Sequence, residues 1–145
     1  MKKIRVVLIC AIFALLPLLS ACSSEEIEHI TERFFVQQVS NIMFNLDNYT
    51  GRTIQLEGMF FGWSDYFGAE DVYYFVVRFL SGCCGGGGNV GFEVYMGNFE
   101  PFADDTWVSV TGVLEIRDGW MQNAPMLVVT AIEALDVRGQ EIVFQ

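Results

Sequence analysis

Between Thr31 and Leu46 the apolar residues Phe35, Val39, Ile42 and Leu46 recur at spacings of four, three and four, which sets them on one face of a helix. Asp47-Asn48-Tyr49-Thr50-Gly51 then supplies stop and turn residues. From there the pattern changes to short runs that read as strands: Arg52 to Trp63, Val72 to Ser81, Val90 to Met96, Thr106 to Arg117 and Met126 to Val137. In the first run Ile54, Leu56 and Phe60 share one parity, and in the fourth Val108, Val110, Leu114 and Ile116 do, so each has a core face. Gly58 and Gly112 fall in line with those inward sets, where a sheet that coils on itself needs a bend or bulge. Asp118-Gly119 is a two-residue hairpin signal.

The second run, Val72 to Leu80, is apolar on both parities and is therefore expected to be central, with the N-terminal helix over its outer face. The fold class this predicts is mainly β: a small five-stranded barrel, like the oligonucleotide/oligosaccharide-binding (OB) type, preceded by one amphipathic helix. An immunoglobulin-like sandwich is the alternative, and it needs about seven strands.

The N-terminus obeys a different pattern. Lys2, Lys3 and Arg5 precede an uncharged apolar run from Val6 to Leu19, the n-region and h-region of a signal peptide. As a helix that run would reach roughly 21 Å, short of the roughly 30 Å hydrocarbon core, so it reads as a transport signal and not a permanent span. Leu19-Ser20-Ala21-Cys22 matches the lipobox of bacterial lipoproteins, in which the cysteine thiol is joined to diacylglycerol and becomes the new N-terminus. The expected organisation is a lipoprotein signal over 1–21, an acidic tether over 22–31 and a single helix-plus-barrel domain over 32–145. The expected location is the extracytoplasmic side of a membrane, with lipid at Cys22 as the anchor.

Removing the signal changes the charge. Beyond Cys22 there are five arginines and no lysine against eighteen acidic residues, a formal charge of −13. Such a surface repels nucleic acid and anionic headgroups. Processing also discards Cys10 and consumes Cys22, which leaves Cys83 and Cys84 as the only thiols.

Those two cysteines sit in Ser81-Gly82-Cys83-Cys84-Gly85-Gly86-Gly87-Gly88-Asn89-Val90-Gly91, between two expected strands. Neighbouring thiols can hold one soft metal ion such as zinc, close a strained vicinal disulfide, or form a loop without chemistry. Structural zinc takes four ligands. Asp65, Glu70, Asp71, Asp104 or Asp105 would have to complete the set, because the only histidine, His29, lies in the tether. Gly86 to Gly91 satisfies G-x-G-x-x-G, yet it leads into a strand and not a helix, which excludes the dinucleotide reading.

Aromatic residues crowd Phe60-Phe61-Gly62-Trp63-Ser64-Asp65-Tyr66-Phe67-Gly68. Trp63, Tyr66 and Phe67 beside Asp65 can stack on a sugar or peptide at a barrel mouth, or cap the barrel end. Catalysis finds little support. A nucleophile and base would need His29, and Asp104-Asp105 reads as a turn.

Several segments together resemble the C-terminal domain of the bacterial YcgQ-like proteins, described as permease subunits of unknown function. They are Tyr49-Thr50-Gly51-Arg52 with Ile54 and Gly58, Phe75-Val76-Val77-Arg78-Phe79 with Cys83-Cys84, Gly91-Phe92-Glu93-Val94, and Asp105-Thr106-Trp107-Val108-Ser109-Val110-Thr111-Gly112. The resemblance implies a role beside a multi-spanning permease-like partner and implies that Cys83 and Cys84 are functional. The chain departs from that family in two ways. It has a lipid-anchor signal where family members have membrane spans, and Gly85-Gly86-Gly87 where they tend to have Ala-Asp-Ala, which removes a carboxylate ligand.

The expected function is a non-enzymatic binding or accessory module of a permease-like system, with a thiophilic metal at Cys83-Cys84 as one option. A thiol redox protein using that pair, and an oligosaccharide- or peptide-binding barrel, are the alternatives.

Overall fold

The computed structural model describes residues 26–64, 72–82 and 87–144. Within them the chain is mainly β, with seven strands in one sheet: β1 (Glu28–His29), β2 (Thr53–Ser64), β3 (Val72–Leu80), β4 (Gly88–Tyr95), β5 (Thr106–Arg117), β6 (Ala124–Ala134) and β7 (Ile142–Val143). A 3-10 turn (Glu32–Phe34) and helices α1 (Phe35–Phe44) and α2 (Leu46–Tyr49) stand between β1 and β2. No described helix is long and apolar enough to cross a membrane.

The sheet runs β1-β2-β5-β6-β4-β3-β7, and β2 pairs with β3 as well, so the hydrogen-bonded path through β2, β5, β6, β4 and β3 returns to its start. β2 makes this possible by serving two partners in turn. Thr53 to Phe60 pair with β5, and Met59 to Ser64 pair with β3. The handover occurs beside Gly58, where an added Cβ would lie 2.8 Å from Val77 O. At Gly112 the β5–β6 register shifts, and a Cβ there would lie 2.8 Å from Val128 O. Both mid-strand glycines thus allow close backbone approach at a bend.

The predicted inward set is buried: Ile54, Leu56, Phe60, Val108, Val110 and Leu114 share one cluster with Phe35, Val39 and Ile42 of α1. Ile116 departs from it, at 41% exposed. It pairs with Pro125 near the β5–β6 hairpin, past the end of the core. The helix also lies elsewhere than expected. It shares the inner cluster with Val76, Phe92 and Val94, whereas Val77 on the other face of β3 packs with Met59, Trp107 and the flanking Phe61, Phe75 and Leu135.

Four further differences have local causes. The tether ends earlier than its acidic composition suggests, because Glu28–His29 pairs in parallel with Ile54–Gln55 and Ile30 is buried. Gln38 secures this entry by accepting from Thr31 N at 2.8 Å and donating to His29 O at 3.0 Å. The expected stop over Asp47 to Gly51 is partly helical, with the break placed at Asn45. Asp118-Gly119 opens a longer connection and not a two-residue turn, since Asp118 Oδ1 accepts from Asn123 N at 2.9 Å. At the C-terminus β7 adds to β3 beside Phe79 and Leu80.

Arg78 is the deepest charged residue among those described, with 1% exposure in mid-β3. Its Nε donates to Glu57 O at 2.9 Å and its Nη1 to Gln140 O at 3.0 Å, with Glu32 Oε2 3.6 Å away. The guanidinium lies 4.6 Å from the Phe35 ring centroid and 5.0 Å from that of Trp107. Burial lowers its pKa, opposed by Glu32 and Glu57. One side chain therefore ties the N-terminal turn, β2 and the C-terminal segment to β3.

Candidate functional site

Successive residues of a strand face opposite sides, so Phe61 and Trp63 of β2, Tyr73 and Phe75 of β3, and Glu93 and Tyr95 of β4 each form a same-side pair. The register aligns them across the sheet. Phe61 is opposite Phe75, Phe75 opposite Glu93, Glu93 opposite Met126, and Trp63 opposite Tyr73. This is the outer face, because Phe60, Tyr74, Phe92 and Val94 belong to the inner cluster. The Phe61 and Phe75 rings stack at 5.2 Å and 18°.

Trp120, from the connection between β5 and β6, completes the surface. Its ring stands edge-on to Trp63 at 5.8 Å and 73°, and to Tyr73 at 6.1 Å and 76°. Trp63 is 50% exposed and Trp120 45%, so both present indole surface to solvent while bracing each other. Such perpendicular pairs suit the ring quadrupoles. Arg117 lies over Tyr95 at 4.3 Å and pairs with Glu115 at 3.6 Å.

Glu93 fixes the position of Trp120. Both of its carboxylate oxygens accept from the Trp120 backbone N–H, at 3.0 and 3.2 Å. Gly119 packs so closely on this carboxylate that an added Cβ would overlap Glu93 Oε1 and Met126 Cε. Glu93 is only 9% exposed, and burial raises its carboxyl pKa, with the Trp120 hydrogen bond working in the other direction. It lines two clefts. One, of about 330 Å³, is bounded by Tyr73, Tyr95, Asp118 and Gly119, and the other, of about 360 Å³, by Phe61, Phe75, Trp120 and Met121. The site thus offers aromatic stacking surface and one sheltered, fixed acceptor.

The sequence-predicted residues fare unequally. Trp63 stands in this face. Cys22, Asp65, Tyr66, Phe67, Glu70, Asp71, Cys83 and Cys84 lie outside the described residues. Leu80 and Gly88, which flank the cysteine segment in sequence, are register partners at the end of β3 remote from Tyr73. Asp104 Oδ1 accepts from Gly62 N at 2.8 Å, and Asp105 takes a left-handed φ of 69° and pairs with Arg138 at 3.1 Å, both structural roles. Among the described residues no three His, Cys, Asp or Glu side chains gather as a metal site.

Glu93, Trp120, Tyr73 and Tyr95 did not stand out in sequence. Glu93 interrupts the apolar run from Val90 to Met96, and Trp120 directly follows the Asp118-Gly119 pair; those are the signals that point to them.

The DUF1980 C-terminal domain model matches residues 17–145. The chain belongs to that family. This is the assignment to which the YcgQ-like motifs point, and within the DUF1980 C-terminal domain Glu93 falls in the Gly91-Phe92-Glu93-Val94 segment that carried the resemblance. No curated protein and no solved structure matches the chain.

Proposed function

We propose that this DUF1980 C-terminal domain is a non-enzymatic binding module, held by lipid at Cys22 on the extracytoplasmic side of a membrane, that captures a small organic ligand for a permease-like partner. The observation that carries the ligand site is the row Phe61, Phe75 and Glu93 with the exposed Trp63 and Trp120 and with Tyr73 on one outer face. Read as an OB-type barrel, the closed path counts β2, β3, β4, β5 and β6 as its five strands, with the third and fifth parallel. In that architecture ligands bind across the second and third strands, between the first–second and fourth–fifth connections. Here those strands are β3 and β4, and the fourth–fifth connection carries Trp120. The formal charge of −13 disfavours nucleic acid, which leaves saccharides and peptides.

Intrinsic fluorescence tests this. Titration with wall oligosaccharides and short peptides gives a saturable change for at least one ligand, abolished by Trp63→Ala in a protein that still melts cooperatively. A flat response across both ligand sets contradicts the reading. A thiophilic metal or redox function at Cys83-Cys84 is a second reading, tested separately. Equal metal content in the wild type, Cys83→Ser and Cys84→Ser would dismiss the metal form. Two thiols that always alkylate would dismiss the redox form.

A further inference from the structure

Glu93 is a sheltered carboxylate without a counterion among the described residues. An ionised carboxylate offers about four acceptor positions, and among the described residues only the Trp120 N–H donates to it. All five arginines beyond Cys22 are described and engaged elsewhere. Arg33 stacks on Phe34, Arg52 pairs with Glu28, Arg78 is bound as above, Arg117 pairs with Glu115, and Arg138 pairs with Asp105 and Glu141. By sequence the segments 65–71 and 83–86 contain no lysine, arginine or histidine. His29 is paired into β1, beside Gln55.

A nearly buried charge that lacks its partner is costly, and a binding site is where such a group has a use. The clefts on either side of the carboxylate are walled by aromatic rings. A cation entering there meets a charge-assisted hydrogen bond and ring faces together.

We infer that Glu93 is the charge-recognising group of the aromatic face, and that the ligand is an organic cation: a protonated amine or guanidinium on a body whose ring or apolar side stacks on Trp63, Tyr73 and Trp120. This rests on the reading of that face as the ligand site. The groups around Glu93 agree with it. Asp118 adds a carboxylate at the rim, and Arg117, the one base nearby among the described residues, is offset by Glu115. The negative charge of the whole chain draws cations toward it.

The test compares three probes by tryptophan fluorescence at about pH 6, where amines are largely protonated: a glucosamine tetramer, its fully N-acetylated counterpart, and spermidine. The glucosamine tetramer is expected to bind about tenfold or more tighter than the acetylated one, the worth of a sheltered charge-assisted hydrogen bond. Glu93→Gln, whose amide oxygen still accepts from Trp120 N–H, removes that difference. Spermidine, which has no ring to stack, binds more weakly than the glucosamine tetramer. Equal affinity for the two tetramers, lost in Trp63→Ala, would overturn the cation and leave the aromatic site standing. Spermidine binding as tightly as the tetramer would overturn the stacking requirement. No response to any probe would overturn both.

Discussion

Replacing Arg78 tests how the fold holds the turn at Glu32 and the segment around Gln140. Arg78→Leu removes the donors to Glu57 O and Gln140 O and leaves both carbonyls beside an apolar chain. Each unsatisfied buried group costs about 1–3 kcal/mol, and the guanidinium contacts with Phe35 and Trp107 add about 0.5–2 kcal/mol each. Leucine packing recovers part of this, so a net loss of about 3 kcal/mol is expected. With a urea m-value of about 1–3 kcal/mol/M, the midpoint falls by about 1 M or more. Arg78→Lys keeps a charge but cannot span both carbonyls, and should lose roughly half as much. Hydrogen exchange locates the damage. The amides of Phe79 and Ser81, which donate to Glu141 O and Val143 O, should open first as β7 detaches. A midpoint unchanged in Arg78→Leu would refute the clamp.

Three further outcomes follow from the same geometry. The folded Glu93 carboxyl has a raised pKa, so the folded state holds this proton more tightly than the unfolded chain does. Stability from this group is therefore full below the ordinary glutamate range and declines as pH rises through the raised value; thermal melts of Glu93→Gln across that window should lack this component of the decline. Gly58→Ala and Gly112→Ala should each lose about 1–3 kcal/mol through backbone collision, while Gly88→Ala, with nothing within 4 Å of the added carbon, stays near wild type in the same urea titration. Cys22→Ser should leave an uncleaved precursor without acyl mass in mass spectrometry of the expressed protein.

The hydrophobic pattern carried most of the fold because its repeats were long enough to read. Phe35, Val39 and Ile42 mark the helix, and Ile54, Leu56, Phe60, Val108, Val110 and Leu114 mark the inner face. Gly58 and Gly112 announced the bends through their place in those inward sets. β1 and β7 are two residues each, too short to alternate, and exist only because long-range partners pair with them. Nothing local in the apolar strand around Arg78 marks it as a clamp, since its partners Glu57 O and Gln140 O come from distant parts of the chain. The site was half legible for the same reason. Trp63 stood in an obvious aromatic cluster, whereas Glu93 and Trp120 lie 27 positions apart and meet only when β4 passes beside the β5–β6 connection.

The central claim, that the Trp63–Trp120 face is where this domain takes its ligand, is tested most directly by nuclear magnetic resonance. The chain has three tryptophans, hence three indole N–H signals to follow. During titration with the glucosamine tetramer the indole signals of Trp63 and Trp120 and the backbone amide of Trp120 are expected to move together, while that of buried Trp107 stays in place. Saturable shifts confined to Trp107 and the β7 edge, with Trp63 and Trp120 unmoved, would contradict the account.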